Sequence, residues 1–233
     1  MIFTYSCPVP VREIEPDKKL ALFKARKMLP EYIFDTTQLE KNPVTFPEVQ
    51  TLLDGTTIGG HKVSDVEQVL NIRDAWNALL SSVSAGTFTV DKDTFNGIHA
   101  YIARGEALEW GKFRRGQIGI AGTETYKAPD WRELPEIFER ELPLILEAAS
   151  TVEKAVRLFL WGALNQFYWD GNKRTARIMA NGVLLSAGLG VFNIHRRDIL
   201  EFNTLMVDFY ETQNADAVMP FLAGKCVKYY DEE

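Results

Sequence analysis

Between Ala155 and Gly188 lie the two most apolar segments of the chain, separated by a short polar run. The first is Ala155, Val156, Leu158, Phe159, Leu160, Trp161, Ala163, Leu164, Phe167, Tyr168 and Trp169. The second resumes with Ile178, Met179, Ala180, Val183, Leu184, Leu185 and Ala187. A helix that is apolar on every face belongs in the interior, so two in succession predict the centre of an all-α fold. Between them stands Asp170-Gly171-Asn172-Lys173-Arg174, with Arg177 one turn further on. Charge is costly to bury without a partner, so a polar run hinged between buried helices predicts a cleft that receives something polar. The second helix starts just after Gly171, which turns its unpaired N–H groups toward that cleft beside Lys173, Arg174 and Arg177. Phosphate is the anion best suited to such a site. The same residues also read as a solvated interhelical turn, with Asp170 or Asn172 as N-cap.

The rest of the chain fits one globular domain with an N-terminal arm. A formal charge of −6 argues against nucleic acid as the main ligand. The two cysteines, Cys7 and Cys226, sit at opposite ends without metal-ligand spacing, which suits a reduced, cytoplasmic setting. The N-terminus lacks the pattern of a signal peptide. Arg157, Asn165 and Gln166 interrupt the best candidate for a membrane span, so no membrane association is expected.

Residues 1–16 contain three prolines and read as an extended arm. Leu20, Phe23 and Met28 predict an amphipathic helix ending near Pro30, and a second short helix runs from Glu31 to Glu40, closed by Asn42-Pro43. Thr45-Phe46-Pro47-Glu48 is a helix start, with the helix running to Leu53 and Gly55. A helix from Ser64 to Ser82 carries Val66, Val69, Leu70, Ile72, Trp76, Leu79 and Leu80 inward. Asp91 to Gly105 carries Phe95, Ile98 and Ile102, with His99 on the same stripe as a packed core histidine rather than a chemical one. Residues 111–129 are glycine-rich and partly alternating, the one good β-hairpin candidate, with its turn near Gly122. The spacing of Gly116, Gly119 and Gly122 is not a phosphate loop, because no helix follows promptly and no Lys-[Ser/Thr] pair is present. Helices are predicted over Pro129–Leu146, over Ile194–Glu211 with Ile199, Leu200, Phe202, Leu205, Met206 and Phe209 inward, and over Ala215–Tyr229. The expected architecture is all-α, about eight or nine helices with one small hairpin.

The run Gln166-Phe167-Tyr168-Trp169-Asp170-Gly171-Asn172-Lys173-Arg174-Thr175-Ala176-Arg177 resembles the signature of the Fic/Doc (Fido) family, H-x-F-x-[DE]-G-N-[GK]-R-x-x-R. The signature's His falls on Gln166 and its Phe on Tyr168. The resemblance implies a Fic-type bundle over residues 31–233, preceded by an arm and helix over 1–30, with the motif at 166–177 and a flap at 111–129. It also implies an inhibitory helix at 31–42. The family pattern [ST]-x-x-x-E-[GN] is matched by Thr36 and Glu40, with Lys41 where Gly or Asn is usual. In the family that glutamate pairs with the motif's second arginine, here Arg177, and obstructs the γ-phosphate position. Without the resemblance, Glu40 reads as a solvated surface carboxylate.

Carried over position by position, the resemblance implies ATP and Mg²⁺ as cofactors and AMP transfer to a protein hydroxyl. Asp170 would bind the metal. Gly171, Asn172, Lys173 and Arg174 would surround the phosphates, and Arg177 would take the γ-phosphate unless Glu40 holds it. Lys173 stands where a small residue is commoner. Doc-type members share it and act as protein kinases, so γ-phosphoryl transfer is a further outcome. The protein substrate would lie along the hairpin edge by strand addition, and self-association as a homodimer would hold the inhibitory helix. Gln166 departs from this scheme, because a carboxamide can orient a hydroxyl but cannot take its proton, a loss of roughly 10²- to 10⁴-fold. Two expectations therefore stand. One is a degenerate or atypical adenylyltransferase in which Glu40 can alternatively act on water to release AMP. The other is an inactive Fic domain that binds nucleotide or a protein partner as a regulatory module.

Overall fold

The computed structural model describes residues 2–231. Ten α-helices are present among them: α1 (Lys18–Lys27), α2 (Leu29–Leu39), α3 (Phe46–Leu53), α4 (Val63–Ala85), α5 (Lys92–Ile102), α6 (Leu134–Leu146), α7 (Thr151–Asn165), α8 (Asn172–Ser186), α9 (Ile199–Thr212) and α10 (Val218–Phe221). The all-α expectation holds, with one helix more than the upper count. Pro30 sits in the first turn of α2, where its missing N–H costs nothing. At α3, Thr45 N–H donates to Glu48 Oε2 at 2.8 Å, the reciprocal contact that the sequence Thr-x-x-Glu offers.

The centre is the α7–α8 pair, which makes the most extensive contact in the molecule. From Ala155 to Leu164 every apolar side chain of α7 is fully buried, as are Ala176, Met179, Ala180, Leu184 and Leu185 of α8. Each large side chain so buried contributes roughly 1.5–3 kcal/mol. The approach is close because α7 carries Gly162, where a Cβ would stand 2.8 Å from the Ala176 Cβ. Around this pair lie α4, α5 and α6, and Phe3 of the N-terminal arm joins the same core. The arm is held by Ser6 and Cys7 N–H groups, both donating to Asp216 Oδ1.

Three expectations are corrected. No paired strand lies in 111–129. The only sheet among the described residues pairs β1 (Gly190–Phe192) antiparallel with β2 (Val227–Tyr229), in the register Gly190↔Tyr229 and Phe192↔Val227. The expected helix 215–229 stops accordingly, passing from α10 through a π-helical turn at Leu222–Cys226 into β2. Phe23 and Leu200, expected inward, are 63% and 82% exposed, because a different face of each helix (Ala21, Leu22 and Ala25 on α1, Phe202 and Met206 on α9) is the buried one.

Gly162→Ala should lower stability by about 1–2 kcal/mol, since the steric cost of separating two packed helices outweighs the helix propensity gained. Urea denaturation measures it, and a stabilised variant would show that the α7–α8 contact can relax freely.

Candidate active-site cleft

The loop from Gln166 to Gly171 leaves α7 through Gln166 in the left-handed region (φ 49°, ψ 55°) and enters α8 through Gly171 (φ 73°). At Gly171 a Cβ would also press on Ile102 at 3.0 Å, so glycine is needed for both conformation and space. Nearly every loop carbonyl has an assigned donor. Arg114, buried behind the loop, gives Nε to Gln166 O at 2.6 Å and its own N–H to Phe167 O at 2.9 Å. Asn172 clamps Tyr168 from both sides, accepting from its N–H at 2.8 Å and donating to its carbonyl at 2.8 Å. His99 closes the far end. It accepts from Gly111 N–H at Nδ1 (3.0 Å), which leaves Nε2 to donate to Asp170 O at 2.9 Å, and its ring stacks on Tyr168 at 3.7 Å. Burial pushes the His99 pKa down to about 4, so the imidazole is neutral and fixed in one tautomer. The expectation of a packed histidine agrees with this geometry.

In front of the loop lies a cleft of about 160 Å³. Its polar wall is Gln166, Asp170, Gly171, Asn172, Lys173 and Arg174, its apolar wall is Ile118, Ile120 and Tyr210, and Glu40 stands at its side. No side chain caps α8, so the first-turn N–H groups face this space. Lys173 lines the cleft, and burial lowers its pKa against the attraction of Glu40. The Tyr210 hydroxyl is buried and has no partner among the described residues. Asp170 is the exposed carboxylate at the rim, 61% accessible. Both polar atoms of the Gln166 side chain hold a protein partner, Nε2 donating to Ala163 O at 2.7 Å and Oε1 accepting from Asn172 at 3.1 Å, which leaves one N–H and one lone pair. Because the Asn172 side chain is spent on the loop, only its backbone remains to meet a ligand.

Arg174 is buried at 2% side-chain accessibility and ringed by three carboxylates: Glu106 at 2.8 Å, Asp170 at 3.5 Å and Glu40 at 3.8 Å. Burial disfavours its charge, but Glu40, Glu106 and Asp170 together outweigh that and raise its pKa. The expected Glu40–Arg177 pair is therefore corrected. Arg177 Nη1 instead donates to Thr36 Oγ1 at 3.2 Å, and its Nε is unpartnered among the described residues. Burial brings Arg177 down to about 10, with Glu40 opposing from a distance. The reason is chain direction. As α2 advances from Thr36 to Glu40, its contacts on α8 step back from Arg177 to Arg174. Glu40 itself is the C-cap of α2, and Lys41 after it lies in the left-handed region at φ 58°.

The segment 111–129 lies over the cleft without a backbone ladder. Arg114 ties its two arms, donating to Gly116 O at 2.6 Å and Pro129 O at 2.7 Å, and Gln117 Nε2 donates to Ala128 O at 2.9 Å. Glu211 on α9 accepts the N–H groups of Glu124, Thr125 and Tyr126. Arg114, Glu106 and Tyr210 were not singled out from the sequence. No spacing in the sequence marks any of the three.

The central loop of the helical bundle thus presents an uncapped helix end and the buried Arg174 to a cleft. Residues 89–184 match the Fic/DOC family. It is 23% identical over 166 residues to the protein adenylyltransferase Fic of Drosophila ananassae, covering 68% of this chain and 32% of that protein. To the protein adenylyltransferase Fic of Aedes aegypti it is 22% identical over 217 residues, covering 88% and 41%. The chain thus spans about a third of the length of the Drosophila relative. Among solved structures, Fic-1 of C. elegans superimposes with a TM-score of 0.73 at 18% identity, covering 88% of this chain and 62% of that one. A Fic domain-containing signaling protein from Bacteroides thetaiotaomicron superimposes with a TM-score of 0.72 at 17% identity, covering 89% and 84%. No helix among the described residues is long and apolar enough to cross a membrane.

His99 generates a pH dependence whose sign is fixed. Its pKa is about 4 folded and 6.5 unfolded, so on acidification the unfolded chain takes a proton that the native one refuses. Stability falls as pH drops from 6.5 toward 4, by on the order of 3 kcal/mol in full. Urea midpoints between pH 6.5 and 5 should show that slope in the wild type and lose it in His99→Gln. An unchanged slope in the variant would assign it to other groups.

Proposed function

We propose that the domain is a Fic-type adenylyltransferase site, which takes ATP with Mg²⁺ and directs AMP toward a protein hydroxyl, held in an inhibited state and weakened by Gln166. The observation that carries this reading is the convergence of Lys173, Arg174 and the uncapped start of α8 on one cleft. Those donors suit a polyphosphate. The single exposed carboxylate of Asp170 suits Mg²⁺, which typically binds through one or two carboxylates together with substrate phosphates. When bound, the metal would neutralise phosphate charge and polarise the reacting phosphoryl group. Ile118, Ile120 and Tyr210 offer the apolar face that a nucleoside needs.

In the transfer, the hydroxyl oxygen would form a bond to the α-phosphorus while the bond to pyrophosphate breaks and the hydroxyl proton departs. Lys173 and the α8 N–H groups would hold the charge on the transferred group. Gln166 can orient the hydroxyl through its amide, but it takes no proton, so the proton must leave to solvent. Phosphoryl-type transfer relies chiefly on positioning and electrostatics, and a slow reaction survives that loss. The cleft volume is well below the roughly 300–1,000 Å³ of small-molecule sites, so entry requires Glu40 to withdraw. The protein substrate would add along residues 117–120, and a homodimer would keep α2 seated.

The fixed amide of Gln166 favours a second reading, a nucleotide-binding regulatory module without turnover. Calorimetry with ATP·Mg²⁺ and labelling with radioactive ATP separate the two. Glu40→Gly should tighten binding at least about tenfold by vacating the cleft and removing one negative charge. Gln166→His in that background should raise labelling of protein by about 10²-fold or more. Binding without labelling in the doubly substituted protein would support the regulatory module, and no binding in either would overturn both readings.

A further inference from the structure

Glu106 lies in the connection after α5 and stands outside the wall of the cleft, yet it makes the shortest contact to Arg174, Oε2 to Nη1 at 2.8 Å. Its own position is fixed. Oε2 also accepts from Gln68 Nε2 at 3.0 Å, while Oε1 lies 3.5 Å from Asn71 Nδ2. Gln68 and Asn71 are one turn apart on α4 and so present both amides on one face. Asn71 also donates to Arg104 O at 2.7 Å, which pins the connection that carries Glu106. Gln68 further accepts from Asn42 at 3.0 Å, two residues past Glu40. A hydrogen-bonded route thus runs from the turn after Glu40 through Gln68 to Glu106 and on to Arg174.

The guanidinium has two usable edges. Glu106 occupies Nη1, so the edge formed by Nε and Nη2 is the one left for the cleft. That edge is where Glu40 and Asp170 stand, at 3.8 and 3.5 Å, beyond hydrogen-bond reach. An arginine binds a phosphate best through two parallel N–H groups, and a rotated guanidinium loses one of them.

We infer that Glu106 is a positioning residue, one that acts through Arg174 by anchoring Nη1 from behind so that the Nε/Nη2 fork faces the phosphate position. Two carboxylates on one arginine then have opposite effects: Glu40 blocks the fork and Glu106 aims it. The inference rests on the proposed nucleotide reading of the cleft and deepens it.

The test uses the full chain carrying Glu40→Gly, titrated by calorimetry with ATP·Mg²⁺ and separately with adenosine, which has no phosphate. Adding Glu106→Gln should weaken ATP·Mg²⁺ binding about tenfold, the loss of one charge-assisted contact, and leave adenosine binding unchanged. Glu106→Asp should recover part of the loss. A residue that merely supports the fold would weaken both ligands together, and that result overturns the inference. Unchanged or tighter ATP·Mg²⁺ binding in Glu106→Gln overturns it as well, showing Glu106 to be inert or a second block. If Glu40→Gly alone binds ATP·Mg²⁺ no better than adenosine, the phosphate reading fails and the role of Glu106 falls with it.

Discussion

Three cations on the first turn and a half of a buried helix are the constraint that the surrounding structure answers. Lys173, Arg174 and Arg177 sit at the end of α8 where the helix macrodipole is already positive, so both desolvation and the dipole act against them. Glu40, Glu106 and Asp170 bring the local charge back toward neutrality, and the Thr36 hydroxyl takes one N–H of Arg177. Those partners come from α2, from the connection after α5 and from the loop itself. The need to keep arginines in the interior therefore dictates where three separate parts of the chain must meet. Replacing the set with apolar residues would suit stability as well or better, so stability alone does not account for these buried cations.

A second device fixes the loop without using its side chains. Arg114 is buried and spends its whole guanidinium on carbonyl oxygens, one from the loop and two from the covering segment, while its backbone N–H takes a fourth. Burial lowers its pKa, yet carbonyl dipoles aimed at a delocalised cation make the charge tolerable. The covering segment is thereby coupled to the start of the motif through one residue. His99 does the same at the other end, where a neutral imidazole serves as a two-sided hydrogen-bonding wedge. The chemistry-bearing groups inherit their positions from these supports.

How far the sequence revealed this depended on the range of the interaction. The α7–α8 pair was legible because burial on all sides leaves an uninterrupted apolar record, and the Thr45–Glu48 start because its partners are three residues apart. The motif loop was legible as a unit, since its residues are contiguous. The covering segment was misread as a hairpin: the alternation around Ile118 and Ile120 is real, but the links between its arms come from Arg114 and Gln117 side chains. The β1–β2 pair was hidden because three-residue strands carry no period, and the apolar spacing of Phe221, Leu222 and Cys226 continues into β2 as though the helix did. Which arginine faces Glu40 depends on the direction in which α2 crosses, and Glu106 and Arg174 meet across a sequence separation of 68 residues. Neither is written in any local pattern.

Lys41 gives the turn at the end of α2 a particular temperament. An L-residue with a side chain is held in the left-handed region at a cost of about 1 kcal/mol, and it comes directly after the carboxylate at the side of the cleft. Thr36 and Thr37 are buried and hydrogen-bonded deeper in α2, whereas Lys41 is exposed. Backbone strain is thus concentrated at the outermost link of α2, next to Glu40, while buried side chains moor the remainder of the helix.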